Sequence, residues 1–156
     1  MRSTSIAGAA LASVALLGAS DLAAQDVSAT PTYGSVELTT GFMPDPHVVE
    51  LTAGGDISVN EGSCTYGQVA EAPDFDLYYT ATEANTLYIS VIGDGDTTLL
   101  VNGPDGRWYC DDDSYGDLDP ILAIPKAQSG LYDIWVGTYG EELVSATLYI
   151  SEVDPR

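Results

Sequence analysis

The sequence predicts an all-β fold, an antiparallel β-sandwich of jelly-roll-like type with about ten short strands and one disulfide. Three observations predict it. Short runs rich in Val, Ile, Leu, Thr and Tyr recur between Gly, Pro, Asp and Asn punctuation. Within those runs apolar and polar residues alternate, which is the two-residue rhythm of a strand buried on one face. No long stretch carries helical periodicity.

The chain opens with Arg2, an apolar run from Ile6 to Leu17 and a small-residue stretch ending Leu22-Ala23-Ala24. That is the layout of a secretory signal peptide. The apolar run is shorter than the roughly 20 residues that span a bilayer, so removal after Ala24 is expected, with no membrane span in the mature form and a secreted or periplasmic location. Residues 25–33 are polar and Pro-containing and read as a flexible leader. Residues 34–156 are of single-domain size.

The expected strands, in order, are SVELTT, HVVELTA, DISV, FDLYYTA, TLYISVI, TTLLVN, RWYC, ILAI, LYDIWVGTY and SATLYISE. Alternation selects three core sets: Leu87, Ile89 and Val91; Tyr132, Ile134 and Val136; Ala146, Leu148 and Ile150. The NGPDG segment between TTLLV and RWYC reads as a hairpin connection, because Asn and Gly accept positive φ and Pro fixes a turn.

The chain has 24 acidic and 4 basic residues, a formal charge of −20. A field of that sign repels nucleic acid and anionic lipid. Cys64 and Cys110 are the only cysteines, and in an oxidising compartment such a pair forms a disulfide. Two thiols without clustered histidines fall short of a zinc set. The bridge would close a loop worth about 4 kcal/mol in the chain-entropy account.

The densest polar feature is CDDDSYGDLDP, which holds Asp111, Asp112, Asp113, Asp117 and Asp119. Calcium takes six to eight oxygen ligands, and a Gly-containing loop lets several converge. Asp94 and Asp96 in the preceding GDGDTT segment would complete such a site. The spacing is not that of an EF-hand, and the competing reading is a solvated loop whose Asp side chains make turns. Glu71, Asp74 and Asp76 form a second candidate group, read either as cation ligands or as caps of backbone amides at a strand entrance.

Catalysis finds little support. His47 is the only histidine, and as a base it would need a nucleophile and an orienting acid; no Gly-x-Ser-x-Gly elbow is present. Tyr88, Trp135 and Tyr149 fall opposite the core sets and would form an outward platform for sugar rings or a polymer if their strands were neighbours. The competing reading is a second buried layer or cross-strand pairs.

The strand opening Asp74-Phe75-Asp76-Leu77-Tyr78-Tyr79, the GDTTLLVNGPDGRWYCDDDS hairpin and the SGLYDIWVGTYG strand together resemble the bacterial pre-peptidase C-terminal domain over residues 74–151. The resemblance implies a small β-sandwich that binds rather than cuts, assists a peptidase and in some members carries calcium. It looks like a free-standing version with an added N-terminal β segment. The expected function is a secreted binding or accessory module that presents a surface to an extracellular protein or polymer, with calcium as a stabiliser. The alternatives are a self-assembling cell-surface structural protein and a carbohydrate-binding module.

Overall fold

The computed structural model describes residues 25–156; the signal peptide read at residues 1–24 lies outside the described residues. Eleven strands form two sheets packed face to face. They are β1 (Ser35–Thr39), β2 (His47–Ala53), β3 (Ile57–Ser58), β4 (Gln68–Val69), β5 (Phe75–Thr80), β6 (Leu87–Gly93), β7 (Thr97–Asn102), β8 (Trp108–Asp111), β9 (Ile121–Ile124), β10 (Gly130–Thr138) and β11 (Val144–Ser151). Among the described residues no helix is long and apolar enough to cross a membrane.

Sheet I is built around β10, the longest strand. Its first half pairs with β5, its second half with β7, and its far end with β4. β1 extends the β5 edge, β8 the β7 edge, and β3 the β4 edge. Sheet II runs β2-β11-β6-β9. Every ladder is antiparallel except β1 with β5, which is parallel.

The three expected core sets meet between the sheets, each member 4% exposed or less, together with Phe75, Leu77, Leu99 and Val101. The two-residue period drives this packing, because one face of each strand is apolar and must leave water. The NGPDG hairpin forms as expected: Gly103 N–H donates to Arg107 O, and Gly106 takes φ 74°.

A smaller apolar cluster sits on the outer side of sheet I. Trp135 and Leu100 point away from the main core and are covered by Val59, Val69 and the Cys64–Cys110 disulfide, with Trp108 tilted against Trp135 at 5.5 Å between ring centroids. The disulfide therefore fastens residues 57–70 over a face that would otherwise be wet. At Gly55 the chain runs so close to Val69 that a Cβ would lie 2.1 Å from its carbonyl carbon.

Two features depart from expectation. β4 was not legible, since two residues carry no period. The stretch 25–33, read as a flexible leader, is held along the entrance to β5: Asp26, Thr32 and Tyr33 N–H groups donate to the carbonyls of Glu71, Pro73 and Asp74. Those carbonyls would lack partners at a strand entrance, and the segment supplies them.

Candidate functional site

The N-terminal segment and the disulfide-bonded loop cover much of sheet I's outer side, so the larger open apolar surface belongs to sheet II. Alternation there turns Tyr149 and Ser151 of β11 and Ser90 and Ile92 of β6 outward. These residues floor a groove of about 400 Å³, closed by Asp45 and Pro46 on one side, Val153 and Pro155 on another, and Tyr115 of the acidic loop. Val48, Ile92 and Val153 on this side are 46, 42 and 66% exposed, a density of hydrocarbon in water that marks interaction surfaces.

The groove's end is fixed by a polar knot. Tyr79 Oη donates to Glu152 Oε1, Gly41 N–H donates to Glu152 Oε2 at 2.7 Å, and Glu152 N–H donates to Asp45 Oδ2 at 3.1 Å. Burial and the Glu152 bond push the Tyr79 phenol up to about 12, so it stays a donor. Asp45 Oδ1 is shielded and has no partner.

The acidic loop is mostly occupied with its own backbone. Asp111 accepts from Ser114 N–H, Ser114 Oγ and Ile121 N–H; Asp119, 9% exposed, accepts from Gly93 N–H and Thr97 Oγ1. Asp117 takes φ 53° at the loop tip, a left-handed conformation that Asp tolerates better than most residues. Asp94 donates its N–H to Ser145 O. Asp96 lies close enough to Asp112, Asp113 and Asp119 for their charges, after burial, to raise its pKa, and its Oδ1 is unpartnered. The donor chemistry suits a hard cation. Yet among the described residues no three His, Cys, Asp or Glu side chains are placed to hold one, so binding would require the loop to rearrange.

The second acidic group is split. Asp74 is 3% exposed; its Oδ2 accepts from Val136 N–H at 2.7 Å, and burial raises its pKa to about 7. It thus satisfies an amide of β10 just ahead of the start of β5. Asp76 instead faces Asp133 directly across the β5–β10 ladder. Both are buried, each keeps one unpartnered oxygen, and burial followed by the Asp76 charge raises Asp133 to about 6. Protonated Asp133 can then donate to the Asp76 carboxylate. The Glu71 side chain is exposed, while its carbonyl accepts from Asp26 N–H and Trp135 Nε1. Asp133 was not singled out from sequence, since pairing with Asp76 depends on strand register.

The aromatic platform does not assemble as a trio. Tyr88 and Tyr149 share the outer face of sheet II, but Trp135 lies in the other sheet and is fully buried. His47 stacks on Phe75 with ring centroids 5.8 Å apart, and burial lowers its pKa. Ile92, Tyr115 and Asp45 were missed in the sequence, where a lone Ile, a loop Tyr and an Asp between two prolines give no periodic signal.

The fold thus defines a disulfide-bonded all-β sandwich with an open groove on one outer face. No family model and no curated protein matches the chain. Among solved structures it is similar to the pre-peptidase C-terminal domain of a collagenase from Bacillus anthracis, with a TM-score of 0.47 and 11% identity over 75% of this chain and 94% of that one. It is also similar to PliG of Aeromonas hydrophila, a periplasmic lysozyme inhibitor of g-type lysozyme, with a TM-score of 0.37 and 18% identity over 76% of this chain and 96% of that one.

Proposed function

We propose that this protein is a secreted or periplasmic, non-catalytic binding module that engages an extracellular partner through the outer face of sheet II. The observation that carries this reading is the Tyr149–Ile92–Tyr115 groove, a concave surface lined mainly by Tyr, Ile, Val and Pro on the outer face of sheet II. The side chains that could do acid–base chemistry are held in other work: His47 against Phe75, Asp74 on a backbone amide, Asp76 against Asp133.

The test is to recover binding partners from the extracellular fraction on the immobilised protein, then measure each dissociation constant against three forms. Wild type and Tyr78→Ser, altered on the outer face of sheet I, should bind alike. Tyr149→Ser with Ile92→Ser should weaken binding by about tenfold or more, the loss of one or two anchors. Equal affinities for all three would remove the groove from the reading.

Calcium enters as a proposed stabiliser of the Asp111–Asp119 loop, since a bound cation would relieve the repulsion felt at Asp96. Calcium should then raise the thermal midpoint of wild type but not of Asp112→Asn with Asp113→Asn. Identical midpoints in calcium and in chelator would end that proposal.

A further inference from the structure

The geometry points to a specific chemistry for the occupant of the sheet II groove: we infer that it takes a cationic polypeptide segment carrying an apolar anchor side chain. This rests on the binding-module reading and adds the partner's class to it. Two observations select it, one from hydrocarbon and one from charge.

The hydrocarbon is arranged along strand register. Val48, Tyr149 and Ser90 stand side by side on β2, β11 and β6, and the next outward row is Glu50, Thr147 and Ile92. Val48 and Ile92 are nearly half exposed, and the groove between these rows and the Val153–Pro155 tail is lined mainly by Tyr, Ile, Val and Pro. Its volume of about 400 Å³ lies within the roughly 300–1,000 Å³ typical of ligand pockets. Such walls reward an apolar side chain that leaves water, at about 25 cal/mol per Å². A basic polysaccharide offers little hydrocarbon of that kind, which favours a polypeptide.

The charge is one-sided. Glu50 stands in the outward row with Ile92, Asp45 forms a wall of the groove with one oxygen that no local donor neutralises, and Tyr115 brings the Asp111–Asp119 loop to its edge. The basic residues among the described ones are Arg107, Lys126 and Arg156. Arg107 and Lys126 line a different cavity with Tyr109 and Tyr132. Arg156, the one at this end of the molecule, is held by both oxygens of Asp154 at 3.0 Å. With a formal charge of −20 on the chain, the field at the groove attracts Lys- or Arg-bearing segments and turns acidic ones away.

The experiment selects random dodecapeptides displayed on phage against the immobilised full chain, then measures the best synthetic peptide by fluorescence anisotropy. Expected sequences have net positive charge around a large apolar residue. Tyr149→Ser should weaken the peptide by about tenfold or more, while Tyr78→Ser leaves it unchanged. Because a core-adjacent Tyr can affect folding, the charge is also probed at Thr147, half-buried on the outer face between Glu50 and Ile92: Thr147→Lys should weaken binding by several fold and Thr147→Glu should not. Raising ionic strength from about 0.01 M to about 1 M, which shortens the Debye length from about 30 Å to about 3 Å, should weaken binding by about tenfold or more.

Selected peptides that are neutral or acidic, yet lost in Tyr149→Ser, would overturn the charge assignment while leaving the groove as a binding site. Peptides indifferent to Tyr149→Ser and to both Thr147 variants would overturn the groove reading as well. Tighter binding of a chitosan oligomer than of any selected peptide would overturn the polypeptide assignment.

Discussion

Aspartate does different jobs in this chain, and the partner that each buried carboxylate meets, rather than its sequence context, separates them. Asp119 accepts two hydrogen bonds while only 9% exposed, so Asp119→Ala should strand Gly93 N–H and Thr97 Oγ1 and cost about 1–3 kcal/mol in chemical denaturation. Asp74 and Asp133 are buried against their charge and titrate at about 7 and about 6 in the fold, against an ordinary 3.8. A raised carboxyl favours the fold when protonated. Its contribution is therefore fully present below about pH 4, is lost as pH rises through about 6 and about 7, and is level above that. Asp133→Asn keeps a donor facing Asp76 and removes one titration, so it should flatten the fall in stability between pH 4 and 8 by about 2 kcal/mol. A profile that stays parallel to wild type would contradict the pairing. The residue-level signals in the sequence were acidic density and strand-entry position; they located Asp74 and Asp76 but gave no hint of Asp133.

The elements that decide the outer faces are the short and irregular ones. β3, β4 and the disulfide carry few hydrogen bonds, yet they seal Trp135 and Leu100 from water. Replacing Cys64 and Cys110 together by Ser should lower stability by about 4 kcal/mol through the released loop, and amide exchange should rise in residues 57–70 more than in β6 or β11. Trp135→Ala should cost about 3–5 kcal/mol, whereas an exposed platform residue would have cost little on truncation. Gly55→Ala should be poorly tolerated because its Cβ would meet Val69 backbone atoms; the readout is a thermal midpoint well below that of a Gly62→Ala control, whose Cβ would meet nothing within 4 Å although its φ of 62° carries some strain of its own. Sequence alternation put Trp135 opposite the core correctly. It could not show that the opposite side of that strand is covered by a loop from elsewhere in the chain.

At the scale of the whole molecule, charge and shape act together. A formal charge of −20 opposes self-association at low ionic strength, while sheet II still ends in edge strands at β2 and β9 and sheet I at β1, β3 and β8. The chain should therefore run as a monomer in light-scattering chromatography at low salt, and a stable oligomer there would favour the self-assembling alternative. Two-residue periodicity determined most of the strands and the core, because a one-residue slip in any of them would turn its apolar set into water. The isolated cysteine pair determined the disulfide for a similar reason, since no other partner existed for either thiol. Tertiary structure alone decided which outer face stays open, which carboxylates meet, and that Tyr149 keeps company with Ile92 and Tyr115 rather than with Trp135. Those outcomes depend on strand order and register between residues far apart in the chain, and local pattern carries no record of either.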